Sequence, residues 1–129
     1  MALSHLKVLD LTSNLSGPYC AMILADQGAD VIKIERPNVG DDMRLTPPFI
    51  NGESAPFMSA NRNKRSVILD LKTNEGLADF KKLVADADIL IENFRAFQLF
   101  GATRSPDIYS LFLMSDVYLI YLYVHLSIN

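Results

Sequence analysis

Apolar residues fall along this chain in short runs separated by turn-forming clusters, with no single period sustained from end to end. Leu6 to Leu11 (LKVLDL), Asp30 to Glu35 (DVIKIE), Ser66 to Leu71 (SVILDL) and Asp88 to Glu92 (DILIE) are rich in Leu, Ile and Val and predict four strands. Such near-continuous apolar runs suit a parallel sheet covered on both faces. Between the first two, Thr12 to Gly17 reads as a turn. Pro18 then suits the start of a helix, where a pre-set φ helps and a missing amide hydrogen has no partner to lose. That helix is predicted over Pro18 to Gln27, with Gly28 as its stop, and Thr73 or Asn74 caps a second one running to about Asp86. Two successive strand–helix–strand patterns, each with a right-handed crossover, predict an α/β fold: a Rossmann-like parallel sheet with flanking helices.

Residues 37–65 break the pattern. They hold Pro37, Pro47, Pro48 and Pro56 with Gly40 and Gly52, and are expected to be mostly irregular and exposed, their Asn61–Arg65 part returning toward the strand ends. A second break falls near residue 95. Beyond it only Arg104, Asp107 and Asp116 are charged, while seven of the Phe and Tyr residues crowd the same stretch. Tyr109 to Ile128 is just long enough to cross a bilayer, but Asp116 near its middle and its four tyrosines argue against insertion, so no membrane role is expected.

A length of 129 residues fits one domain, and a net charge of -3 argues against a general grip on nucleic acid or anionic membrane. One cysteine, Cys20, excludes an internal disulfide framework; with only His5 and His125 besides, there is no zinc-ligand spacing and no metal site is expected. The start, MALSHLK, has neither a secretory nor a transit pattern, which makes the expected location cytoplasmic.

In an open α/β sheet ligands sit beyond the carboxyl ends of the strands. The residues just after the four predicted strands are Thr12 to Pro18, Arg36, Lys72 and Asn93 to Arg95. A helix start offers free amides to an anion, Arg36 and Lys72 add cations, and Asn61-Arg62-Asn63-Lys64-Arg65 adds three more. A phosphorylated, nucleotide-like ligand suits this edge; solvated strand ends suit the same pattern. A dinucleotide site, with Glu35 on a ribose, is the nearest alternative, but the turn has only Gly17 where a pyrophosphate needs three spaced glycines. Asp41-Asp42 reads as a solvated pair, and Cys20 as a buried structural thiol.

In their order and spacing, LKVLDLTSNLSGP, LADQGADVIKIERP, GDDMR, NRNKRSVILDLK and ADILIENFR resemble the N-terminal part of the family III CoA-transferases, the group of formyl-CoA transferase and carnitine CoA-transferase, related to α-methylacyl-CoA racemase. GDDMR followed by NRNKRS resembles the transferase branch. The resemblance covers residues 6–95 and implies movement of CoA between an acyl-CoA and a carboxylic acid, with coenzyme A as substrate and interlocked homodimers as the family's assembly. It further implies that Arg36 lies against the adenine end of CoA and that Leu69 and Lys72 contact the adenosine and its phosphates. Asn93 and Phe94 would line the pantetheine path, and Ser13, Asn14, Leu15 and Ser16 would border the acyl end. Family members continue with further strands and, later, a catalytic aspartate. Residues 96–129 carry no match, and neither Asp107 nor Asp116 has the context of that nucleophile, so no catalytic residue is assigned. The expected organisation is a nucleotide-binding region over 1–95 and a divergent hydrophobic tail over 96–129. The expected function is that of a CoA-transferase fragment without its catalytic Asp, the alternative being a non-catalytic CoA- or nucleotide-binding fragment.

Overall fold

The computed structural model describes residues 1–93 and the backbone of strand 118–121. Strands β1 (Lys7–Asp10), β2 (Asp30–Glu35), β5 (Arg65–Ile68), β6 (Ile89–Glu92) and β7 (Tyr118–Tyr121) form one parallel sheet in the order β5-β2-β1-β6-β7. Helix α1 (Ser16–Asp26) links β1 to β2, and helix α3 (Asn74–Ala85) links β5 to β6. The expected α/β architecture is the one observed. Tyr109 to Ile128 otherwise lies outside the described residues, and no described helix is long and apolar enough to cross a membrane.

Alternation along the strands divides the core. Val8, Val31 and Ile91 pack against Ala21 and Ala25 of α1, whereas Leu9, Ile34 and Leu90 pack against Phe80 and Val84 of α3. Register makes this consistent, because Val8 stands beside Val31 and Leu9 beside both Ile32 and Leu90. The predicted runs read as apolar on both sides because α1 covers one face and α3 the other.

Boundaries differ from expectation where a neighbour begins or ends. Helix α1 starts at Ser16, two residues ahead of Pro18, which the first turn still tolerates because no amide there has a helical acceptor. Strand β5 runs from Arg65 and stops at Ile68, short of the expected Leu71. Its partner β2 ends at Glu35, and the last inter-strand bond is Leu69 N–H to the Glu35 carbonyl at 2.9 Å. Thr73 caps α3 as expected, its hydroxyl accepting the Gly76 amide at 3.0 Å.

The segment 37–65 is more ordered than expected. It contains a 3-10 turn at Asp42–Leu45, a hairpin of β3 (Phe49–Ile50) and β4 (Glu53–Ser54), and helix α2 (Ala55–Asn61). Met43, Phe57 and Ala60 form a small core of their own. Side chains cap the short pieces: Asp41 accepts from Met43 N–H at 2.9 Å and Ser54 from Phe57 N–H at 3.3 Å. Elements of two to seven residues are too short to display a period, which is why the sequence pattern reads as loop.

Candidate functional site

A cleft of about 440 Å³ opens at the carboxyl ends of β1, β2 and β5. Leu11, Thr12 and Ser13 form its wall after β1. Lys33 to Arg36 with Gly40 to Asp42 line its middle, and Leu69 to Lys72 close the far side. Of the residues singled out from sequence, Ser13, Arg36, Leu69 and Lys72 line the cleft. Asn93 stands behind the turn, where its side-chain oxygen accepts Ser13 N–H at 3.1 Å and its amide donates to the Ser13 carbonyl at 2.9 Å. Asn14 takes a positive φ of 66°, and Leu15 and Ser16 are exposed at the start of α1. Phe94 lies outside the described residues.

The cations of residues 61–65 do not gather at this edge. Arg65 is the first residue of β5 and pairs with Asp30, the first of β2, at 2.6 Å; Arg62 pairs with Asp26 at the end of α1 at 2.5 Å. In a parallel sheet the residues that precede a strand occupy the edge opposite those that follow it, so Arg65 and Lys72 belong to different ends. Lys64 alone turns inward. Its Nζ donates to Asp10 Oδ2, the Pro18 carbonyl and Asn61 Oδ1, each at 2.8 Å.

Lys64 belongs to an alternating chain of buried charges beneath the cleft, in the sequence Asp41, Lys33, Asp10, Lys64. Lys33 Nζ lies 2.8 Å from Asp41 Oδ2 and 3.7 Å from Asp10 Oδ2, and donates to the Thr12 carbonyl at 2.8 Å. All four side chains are almost wholly buried. Two cations and two anions leave the group neutral, the condition on which charges persist in an interior. Burial pushes the Lys64 ammonium below its usual pKa, with Asp10 opposing that shift. Asp10 also accepts Thr12 N–H at 2.9 Å and the Thr12 hydroxyl at 2.5 Å through Oδ1. Asp10, Lys33 and Lys64 escape a reading of the sequence that takes charge as a sign of solvent. The available signal was the position of Asp10 and Lys33 inside apolar runs of central strands. Asp41-Asp42 is half corrected as well, since Asp41 is buried and Asp42 exposed.

Glu35 is not available to a ribose. Arg44 holds its two carboxylate oxygens at 2.6 and 2.7 Å, Ser66 donates at 2.6 Å, and the Asp41 amide donates at 3.0 Å. Burial alone would raise its pKa, but these donors outweigh burial and hold it at about 2. Arg44 in turn lies over the Phe57 ring, 3.8 Å from its centroid, tying this pair to the small core of the 37–65 excursion between β2 and β5. Cys20 is half-buried beside α1's apolar neighbours, and burial pushes its thiol pKa up, the wrong direction for a nucleophile.

The two cations at the mouth differ in their partners. Arg36 forms an ion pair with Asp42 at the rim, both side chains more than half exposed, and the Lys72 ammonium has no partner among the described residues. Residues 3–102 match CoA-transferase family III over more than three quarters of the chain. The chain belongs to this family. It is 53% identical over 100 residues to a succinyl-CoA:mesaconate CoA-transferase of Haloarcula hispanica, covering 74% of this chain and 25% of that one. With a succinyl-CoA:glutarate CoA-transferase of Mus musculus it shares 47% identity over 93 residues, 71% of this chain and 21% of the other. The crystal structure of a CAIB/BAIF family protein from Brucella suis superposes with a TM-score of 0.76 at 41% identity, covering 90% of this chain and 31% of that one. The chain thus spans about a quarter of the length of the curated relatives it matches. Family III membership accords with the parallel sheet and with a cleft at its carboxyl edge.

Proposed function

We propose that this chain carries the CoA-gripping part of a family III CoA-transferase, an enzyme that moves CoA between an acyl-CoA and a carboxylic acid. The observation that carries the reading is that Arg36, Leu69 and Lys72 line one cleft outside the carboxyl ends of parallel strands. Arg36 offers a planar guanidinium to stack on adenine, Leu69 an apolar contact for the nucleoside, and Lys72 an ammonium for phosphate. The turn at Ser13 to Ser16, buttressed by Asn93, would meet the acyl end, and the family resemblance assigns Asn93 and Phe94 to the pantetheine path. The activities named for the relatives, with succinyl-CoA as donor and mesaconate or glutarate as acceptor, support a short dicarboxylic acid as the exchanging partner. The region concerned is residues 1–95, in a protein of the reducing cytoplasm.

The chemical step needs a carboxylate free to attack a thioester. Around the cleft Asp41 is buried against Lys33, Glu35 is held by Arg44, Asp42 pairs with Arg36, and Asp70 Oδ1 accepts the Lys72 amide at 3.0 Å. This supports a second reading, in which the chain binds CoA without transferring it.

Calorimetry of the 129-residue chain with CoA and with ADP tests the grip. Binding of both is expected. Arg36→Lys should weaken both by about fivefold through lost stacking, and Lys72→Ala by about tenfold with a shallower salt dependence. Absence of binding, or indifference to both substitutions, overturns the assignment. A labelled acyl-transfer assay with succinyl-CoA and a dicarboxylate then separates transferase from binder.

A further inference from the structure

We infer that Asp41 is a positioning residue that latches the turn after β1 into the shape the ligand meets, and so makes the acyl side of the cleft a preformed wall. This rests on the reading of the cleft as a CoA site and adds a role to a residue that reading leaves unused. Three consecutive residues of the turn are each held by a side chain from elsewhere: the Thr12 carbonyl by Lys33 at 2.8 Å, Ser13 on both its amide and carbonyl by Asn93, and Asn14 N–H by Asp41 Oδ1 at 3.1 Å. Asp41 is the member with the widest reach. The same Oδ1 accepts Met43 N–H at 2.9 Å, its Oδ2 pairs with Lys33 at 2.8 Å, and its own amide donates to Glu35 at 3.0 Å. It therefore fastens three pieces, the turn, the end of β2 and the 3-10 turn, at one point 3% exposed. Asn14 has a positive φ, an arrangement a free loop would readily leave, so an anchor on its amide fixes the least favoured residue of the turn. Ser13 lines the β1 side of the cleft and Lys72 the β5 side, so a latch at Asn14 acts on the side away from Lys72.

Hydrogen exchange read residue by residue on the 129-residue chain, with calorimetry on the same samples, tests this. In the wild type the Asn14 and Met43 amides should be protected; Asp41→Ala, which also leaves Lys33 short of one buried anion, should speed both by about tenfold or more beyond any change in the β1 and β2 amides. Asp41→Asn keeps an oxygen acceptor at the same atom and should restore both. Asp41→Ala should weaken CoA by about tenfold and ADP by clearly less, because ADP has no acyl-side portion to meet the turn. Free exchange of Asn14 in the wild type overturns the latch whether or not any variant folds. Equal loss of CoA and ADP together with exchange speeded as much across the sheet as at Asn14 and Met43 makes Asp41 merely structural and overturns it too. If the wild type takes up neither nucleotide, the CoA reading falls, and the exchange of Asn14 and Met43 still decides the latch.

Discussion

Glu35 shows how single residues here are decided by competing terms. Its carboxylate is 3% exposed, and burial by itself would favour the neutral acid, yet four donated hydrogen bonds hold its pKa at about 2 against 4.5 when unperturbed. A folded-state pKa below the unfolded one stabilises the fold above the unfolded value, and that stabilisation is lost as pH falls through about 2. The difference corresponds to on the order of 3 kcal/mol, of which roughly 2 should be gone by pH 3. Glu35→Gln is therefore expected to be clearly less stable than wild type in urea unfolding at pH 6, with the gap narrowed by roughly 2 kcal/mol at pH 3. An unchanged gap would mean that the Arg44 pair contributes nothing through ionisation. The same residue marks the limit of sequence reading at this scale. An acid after the second strand looks like a ribose ligand until Arg44, nine positions on, is brought onto it by the 3-10 turn. Arg36 and Lys72 were legible because position after a strand suffices to place them. Asp41 and Lys33 were not, since what hides them is a partner distant in sequence.

At the scale of elements, the close approach between the start of α1 and the turn before it constrains Gly17. A Cβ added there would stand 2.3 Å from Thr12 Cβ, and Thr12 cannot swing aside without losing the bonds of its amide and hydroxyl to Asp10. Helix propensity favours Gly17→Ala by about 1 kcal/mol, whereas forcing a methyl into a packed site costs typically 1–3 kcal/mol. The clash wins, so the variant should unfold at lower urea concentration than wild type; a higher midpoint would show that the turn yields. Strands and long helices were legible to within a few residues, because β1, β2 and β6 are buried on both faces and α3 announces itself through Thr73. The excursion was not. Its order comes from Ser54 and Asp41 caps and from Met43, Phe57 and Ala60 meeting one another, none of which leaves a repeat in the sequence. Direction misled as well. Arg65 and Lys72 are near in sequence, but β5 separates them by its length, about 13 Å at the usual rise per residue.

For the molecule as a whole, one helix face stands out. Leu15, Tyr19 and Ile23 follow one another at four-residue spacing along α1, exposed to 61%, 53% and 41%, while Leu45, Phe49 and Ile50 are also more than half exposed. Apolar surface in stripes of this kind favours association in water. Sedimentation velocity is expected to show mass rising with concentration, and Ile23→Glu should lower it; a monomer at every concentration would contradict this. The hairpin of β3 and β4 presents a different kind of surface. Its tip, Asn51-Gly52, has both residues at positive φ, the geometry of a tight two-residue turn, and a side chain added at Gly52 would meet nothing within 4 Å. None of Phe49 to Glu53 lines the cleft. The tip can therefore be opened to receive foreign sequence, since lengthening an exposed loop costs little closure entropy. A dye-labelled peptide spliced between Asn51 and Gly52 would ride on the outside of the protein as a reporter, leaving the cleft as it was.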